Sequence, residues 1–133
     1  DDDTQDFLTE MTNEIMAMGP YFRAVIDSLD FFMQREDPAR VVAMLRMMQA
    51  HTQLHRGILF VTVSNDTITP AIKQEMAAIA DMVCDFKVRT IGSDFETSMI
   101  VSKFRNAPEN LSIMVYRVTP AEGITPETVE RIA

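Results

Sequence analysis

The chain has 133 residues, 47% apolar and 24% charged, which suits one soluble globular domain with its own core. Its net charge of -8 speaks against a general nucleic-acid binder, because phosphate contacts need a basic face. A single cysteine, Cys84, excludes an internal disulfide and fits a reducing cytoplasm, and no apolar run approaches the roughly 18 residues of a membrane span.

The chain opens on Asp1 rather than Met, as expected of a processed or partial product, and no basic-then-apolar signal follows. Phe7, Met11, Ile15 and Met18 recur at helical spacing, with Leu8 widening the stripe, and Gly19-Pro20 stops that helix. Residues 22–28 form a buried strand. Asp37-Pro38 is a cap followed by proline in the first turn. A long helix runs from there to about Arg56, with Val41, Met44, Leu45 and Met48 inward and Gly57 as terminator. Residues 58–63 make a second buried strand of parallel type, with Ser64-Asn65-Asp66-Thr67 as a polar loop at its carboxyl end. Thr69-Pro70 starts a helix with Ile72, Met76 and Ile79 inward, and residues 82–88 are the third strand. This α-β-α-β-α-β order implies parallel strands with right-handed crossovers. Residues 96–104 and 111–118 then suit an antiparallel hairpin, and Glu122-Gly123 marks a further turn. At the end, either Thr125-Pro126-Glu127 caps a short helix or residues 128–132 add a short strand.

The most informative stretch is Tyr21-Phe-Arg-Ala-Val-Ile-Asp-Ser-Leu29. An apolar run ends in Asp27 and Ser28, where a buried strand would run out into a loop. That is the form of a Walker B segment, in which a parallel strand delivers one carboxylate to the sheet's carboxyl edge, where a nucleotide's Mg²⁺ sits. No Gly-x-x-x-x-Gly-Lys-Ser/Thr phosphate loop occurs in these residues, so the expected partner of Asp27 is missing.

Four motifs in order carry a resemblance. They are Val25-Ile26-Asp27-Ser28-Leu29, Ala80-Asp81-Met82-Val83, Ser102-Lys103-Phe104-Arg105-Asn106, and Tyr116-Arg117-Val118-Thr119-Pro120-Ala121-Glu122-Gly123-Ile124. Together they resemble the second half of a RecA-type ATPase domain of the KaiC-like family, from roughly Phe7 to Gly123. They are similar, in turn, to its Walker B strand, its Ala-Asp-Gly strand entry, its Lys-x-Arg-Gly signature and its closing strand and turn.

The resemblance implies that Asp27 orients Mg²⁺ or its water ligand. Ser28, with Ser64 or Asn65 at the next strand end, would hydrogen-bond near the phosphates of ATP. Lys103 and Arg105 would reach the γ-phosphate of a neighbouring subunit and act as charge stabilisers in trans, which makes sense only in a head-to-tail homo-oligomer. The phosphate loop and catalytic glutamate of family members lie upstream of Asp1. Asn106 and Met82 stand where the family has Gly, which admits backbone shapes other residues resist. The family's phosphate-loop strand lies between the strands that are here residues 58–63 and 82–88. A gap there leaves backbone groups unpaired, at roughly 1–3 kcal/mol per buried group.

Other residues carry weaker chemistry. His51 and His55 stand one helical turn apart, a zinc-compatible spacing, but no third ligand stands out and a solvated helix face explains them. The eleven methionines mostly fill core positions, and Cys84 lies in a buried strand as an inert thiol.

The expected fold class is therefore α/β: a three-layer RecA-like fold of P-loop NTPase type, a parallel sheet with a C-terminal antiparallel hairpin extension. Residues 1–133 form a single RecA/KaiC-like domain, incomplete at the N-terminus. The expected function is a cytoplasmic, oligomeric, ATPase-derived regulatory domain with a regulatory protein partner. ATP and Mg²⁺ are its cofactors if upstream residues supply the phosphate loop, and these residues alone are inactive. The alternative is a degenerate, non-catalytic module for protein association in signalling or transcriptional control. A recombinase-type DNA partner is a third reading, against which the acidic balance speaks.

Overall fold

The structure is a computed structural model and describes residues 6–127. The chain divides after Ala80 into two compact units, each with its own sheet.

The first unit is built on helices. Asp6 caps α1 (Phe7–Met16), accepting the Thr9 N–H at 3.1 Å and the Thr9 hydroxyl at 2.7 Å. Leu8 and Ile15 of the expected stripe are buried and Met11 and Met18 pack against the core, while Phe7 is exposed and Thr12 is buried in addition. Thr12 is tolerated inside because its hydroxyl donates to the Leu8 carbonyl at 2.8 Å. Strand β1 (Arg23–Ile26) leads to α2 (Asp30–Arg35), a short helix absent from the sequence reading, which buries Phe32 and Met33. Helix α3 (Pro38–Leu54) starts as expected: the Asp37 carboxylate accepts the Ala39 N–H at 3.1 Å and proline fills the first turn. Val41, Val42 and Met48 are almost wholly buried on it, while Met44 and Leu45 are half-buried.

The end of α3 differs from expectation. Arg56, not Gly57, takes the left-handed conformation, with φ 52°. Gly57 is needed for another reason: a Cβ there would lie 2.4 Å from the Phe22 ring. After α3 come β2 (Ile58–Val61), a 3₁₀ turn (Asn65–Thr67) and α4 (Pro70–Ile79). Thr69 caps α4 by accepting the Ile72 N–H at 3.2 Å, and Met76 is its buried residue.

Strands β1 and β2 are parallel, in register from Arg23↔Ile58 to Ile26↔Val61. Their inner face, Ala24, Ile26, Leu59 and Val61, packs into the core formed with the helices. Leu8, Leu29 and Met48 lie in that core, and burying each such side chain stabilises by about 1.5–3 kcal/mol. The outer face exposes Val25, Ile58 and Phe60. Among the described residues β2 pairs with β1 alone, so its other margin is open. That margin is where the resemblance places the phosphate-loop strand.

The second unit is an antiparallel sheet in the order β3 (Met82–Ile91), β4 (Asp94–Phe104), β5 (Ser112–Thr119), β6 (Gly123–Glu127). The third strand is longer than expected, and it forms a hairpin that the sequence reading did not include: it pairs antiparallel with β4, where Gly92-Ser93 closes a two-residue turn with Gly92 at φ 62° and Ile91 opposite Asp94. The hairpin expected of β4 and β5 is present, in register from Thr97↔Tyr116 to Val101↔Ser112. Gly123, at φ 70°, begins β6, so Thr125, Pro126 and Glu127 lie in a strand rather than in a helix cap. Residues 128–132 lie outside the described residues.

Neither Asn106 nor Met82 has a positive φ, so neither position needs glycine's freedom. Cys84 is half-buried, and burial first, then Asp85, pushes its thiol pKa up, away from the reactive thiolate. No helix among the described residues is long and apolar enough to cross a membrane.

Candidate functional site at the carboxyl edge of the parallel pair

Asp27 follows directly on β1, at the carboxyl edge, and its side chain is exposed. The strand is short because its register partner stops at Val61, but the contact continues through Thr62. The Thr62 N–H donates to the Ile26 carbonyl at 3.0 Å, and the Thr62 carbonyl accepts the Leu29 N–H at 2.9 Å. These two bonds bracket the Asp27-Ser28 peptide, which is cis. The Thr62 hydroxyl also donates to Asp27 Oδ1 at 2.8 Å. Asp27 Oδ2 has no donor among the described residues.

The other candidates on this edge are engaged with a residue that sequence reasoning missed. Asp30, the first residue of α2, accepts the Ser64 N–H on Oδ1 at 2.8 Å and the Ser64 hydroxyl on Oδ2 at 2.7 Å. Thr67 Oγ1 lies 2.9 Å from Asp30 Oδ1 and 2.8 Å from the Ser64 carbonyl, and its single proton serves one or the other. Ser28 Oγ accepts the Asp30 N–H at 3.2 Å. The Ser64 N–H, then the Ser64 hydroxyl, hold the Asp30 carboxyl below its ordinary pKa. Thus Ser28 and Ser64 meet at Asp30, while Asn65 is exposed in the 3₁₀ turn and takes no part in this network. Nothing in the local sequence marked Asp30, because Ser64 and Thr67, which bond its carboxylate, are 34 and 37 residues away.

The chemistry of this donor set fits one magnesium contact. Mg²⁺ in nucleotide sites is held by one or two carboxylates, phosphate oxygens and water, and Asp27 offers an open carboxylate oxygen for that purpose. No group of three or more His, Cys, Asp or Glu able to hold a metal ion by itself occurs among the described residues. These residues contain no backbone cradle of the Gly-rich type for ATP phosphates.

In the second unit, Lys103 is half-buried near the end of β4 and Arg105 follows that strand. Arg105 is held at home: its guanidinium lies 2.7 Å from the Asp81 carboxylate. Two residues picked from separate motifs are therefore one ion pair.

His51 corrects the expectation of a solvated face. It is buried, and Nε2 donates to the Met18 carbonyl at 2.8 Å, since a carbonyl can only accept. Its ring lies 4.1 Å from that of His55 and 5.6 Å from that of Phe22. His55 Nδ1 donates to the His51 carbonyl at 3.0 Å.

Comparison of folds agrees with this architecture. The flagellar accessory protein FlaH from Methanocaldococcus jannaschii superposes with a TM-score of 0.68 at 18% identity, covering 92% of this chain and 54% of FlaH. A KaiC-like protein from Pyrococcus horikoshii gives 0.62 at 16% identity, covering 92% and 53%. The chain thus spans about half the length of each and shares the α/β RecA-like fold of that group. No curated protein sequence matches the chain. A family model does match, over residues 2–115, and by that match the chain belongs to the family of unknown function DUF7125.

Proposed function

We propose that the chain is an ATPase-derived, KaiC-like module that contributes the metal side of a Mg²⁺–ATP site. Asp27 holds the metal or its water ligand, and the phosphate cradle comes from residues outside these 133. The observation that carries this reading is Asp27 itself, an exposed carboxylate at the carboxyl edge of a parallel pair, with one oxygen oriented by Thr62 and the other open. Carboxylates placed in this way serve Mg²⁺ in nucleotide-hydrolysing folds. When bound, the metal supplies charge neutralisation between phosphate oxygens. Ser28, Ser64 and Asn65 border the phosphates in this reading, and the module works as a cytoplasmic, regulatory homo-oligomer. Lys103 and Arg105 serve a neighbouring subunit's phosphates, which requires Arg105 to exchange Asp81 for phosphate oxygen.

A second reading is a non-catalytic module for protein association in signalling or transcriptional control. It is favoured by the internal engagement of two candidate phosphate contacts: both Ser64 donors go to Asp30 and the Arg105 guanidinium goes to Asp81.

Calorimetric titration of Mg²⁺–ATP into the longest natural form of the protein, beside Asp27→Asn, separates the two. Binding that weakens in the variant supports the nucleotide site. Absence of binding at millimolar ATP leaves the association module.

A further inference from the structure

We infer that Thr62 is a positioning residue that makes Asp27 a one-oxygen metal ligand, and that it thereby sets a preference for Mg²⁺ over Ca²⁺. The inference rests on the nucleotide-site reading above.

Two features limit how the carboxylates of this edge can meet a cation. First, Asp27 Oδ1 is occupied by the Thr62 hydroxyl at 2.8 Å. The Thr62 backbone is tied to Ile26 and to Leu29 on either side of Asp27, which keeps the Thr62 side chain beside the carboxylate. The bond orients the carboxylate, so that Oδ2, which has no partner among the described residues, is the oxygen it presents and one-oxygen ligation is favoured over two. Second, both oxygens of the other carboxylate on this edge already accept hydrogen bonds. Asp30 receives the Ser64 N–H on one oxygen and the Ser64 hydroxyl on the other, with Thr67 beside the first.

Mg²⁺ is small, octahedral and reluctant to shed water, so it is satisfied by one carboxylate oxygen together with phosphates and water. Ca²⁺ takes more oxygens at longer distances and gains from bidentate carboxylates. A hydroxyl that holds Oδ1 away therefore costs Ca²⁺ more than Mg²⁺. Removing the hydroxyl lets the carboxylate rotate and offer both oxygens. It also removes the outer partner that fixes Oδ2, and such partners change metal affinity by about 10–100-fold.

The test is calorimetric titration of ATP into the longest natural form, once with Mg²⁺ and once with Ca²⁺. Four proteins are compared: wild type, Thr62→Val, Thr62→Ser and Asp27→Asn. Valine keeps the size and the backbone bonds and removes only the hydroxyl, while serine restores it. The expected result is a Mg²⁺-to-Ca²⁺ affinity ratio about tenfold lower in Thr62→Val, at the lower end of the outer-partner range, and near wild type in Thr62→Ser. A ratio unchanged in Thr62→Val, with Asp27→Asn still weakening Mg²⁺–ATP, overturns the role of Thr62 and leaves the nucleotide site standing. Binding that is absent in wild type, or unaffected by Asp27→Asn, overturns both.

Discussion

Asp81 and Arg105 are joined twice: the guanidinium meets the carboxylate at 2.7 Å, and the Arg105 N–H donates to the Asp81 carbonyl at 2.8 Å. One residue precedes β3 and the other follows β4, so the pair closes the end of that ladder opposite the Gly92-Ser93 turn. The ion pair is partly exposed, at 42% for Arg105 and 57% for Asp81, and exposed pairs contribute about 0–1 kcal/mol. Asp81→Asn is therefore expected to shift urea unfolding by less than about 1 kcal/mol. A larger loss would mean that the carboxylate anchors the hairpin's open end.

Gly57→Ala is expected to destabilise the first unit by about 1–3 kcal/mol, the usual cost of overpacking a core. The added Cβ would sit 2.4 to 2.8 Å from three carbons of the Phe22 ring, which packs beside His51 and cannot simply swing into solvent. Urea unfolding measures the loss. Recovery in a Gly57→Ala, Phe22→Leu double variant would locate the clash at that ring.

His51→Phe is expected to cost about 1–3 kcal/mol, because it leaves the Met18 carbonyl without its ring N–H donor while preserving an aromatic of similar shape. Thermal unfolding of the variant checks this. A solvated histidine would give no measurable change.

Asp6 makes the first unit sensitive to acid. Its pKa is lowered to about 2, chiefly by the hydrogen bonds from the Thr9 hydroxyl and backbone N–H, then by Arg40. A depressed carboxylate contributes its full stabilisation above its unfolded value, 3.8 here, and loses it as pH falls toward about 2. Asp6→Asn is therefore expected to flatten the pH dependence of unfolding between about pH 4 and pH 2, and to leave the slope above pH 5 unchanged. An unchanged slope between pH 4 and pH 2 would remove Asp6 as its source.

What could be read from the sequence was local. Asp37-Pro38 and Thr69-Pro70 announce helix starts because cap and proline chemistry acts within four residues, and both caps are formed. The strand ending at Asp27 was legible because an apolar run stopped at one acidic residue. Helix α2 was not, because Asp30-Phe-Phe-Met-Gln-Arg35 is barely two turns long and gives no period to detect. The β3–β4 hairpin was not read, because residues 89–95 carry too few apolar residues to extend either strand's pattern, although Gly92-Ser93 supplies its two-residue turn. Asp30 was invisible because what defines it is a set of donors from the end of another strand. His51 was misjudged because helical spacing alone does not say which side of α3 meets the Met18 carbonyl.

The parallel pair β1–β2 has one more consequence. A sheet of two strands is nothing but margins: each of these strands has one side bonded and one side bare among the described residues. A bare side of this kind adopts any extended peptide that matches its spacing. With Ile58 and Phe60 exposed on the same strand, β2 combines a hydrogen-bonding template with an adhesive face. At high concentration these residues on their own are therefore set to self-associate through β2, and a charged residue in place of Phe60 is the substitution that would keep them apart.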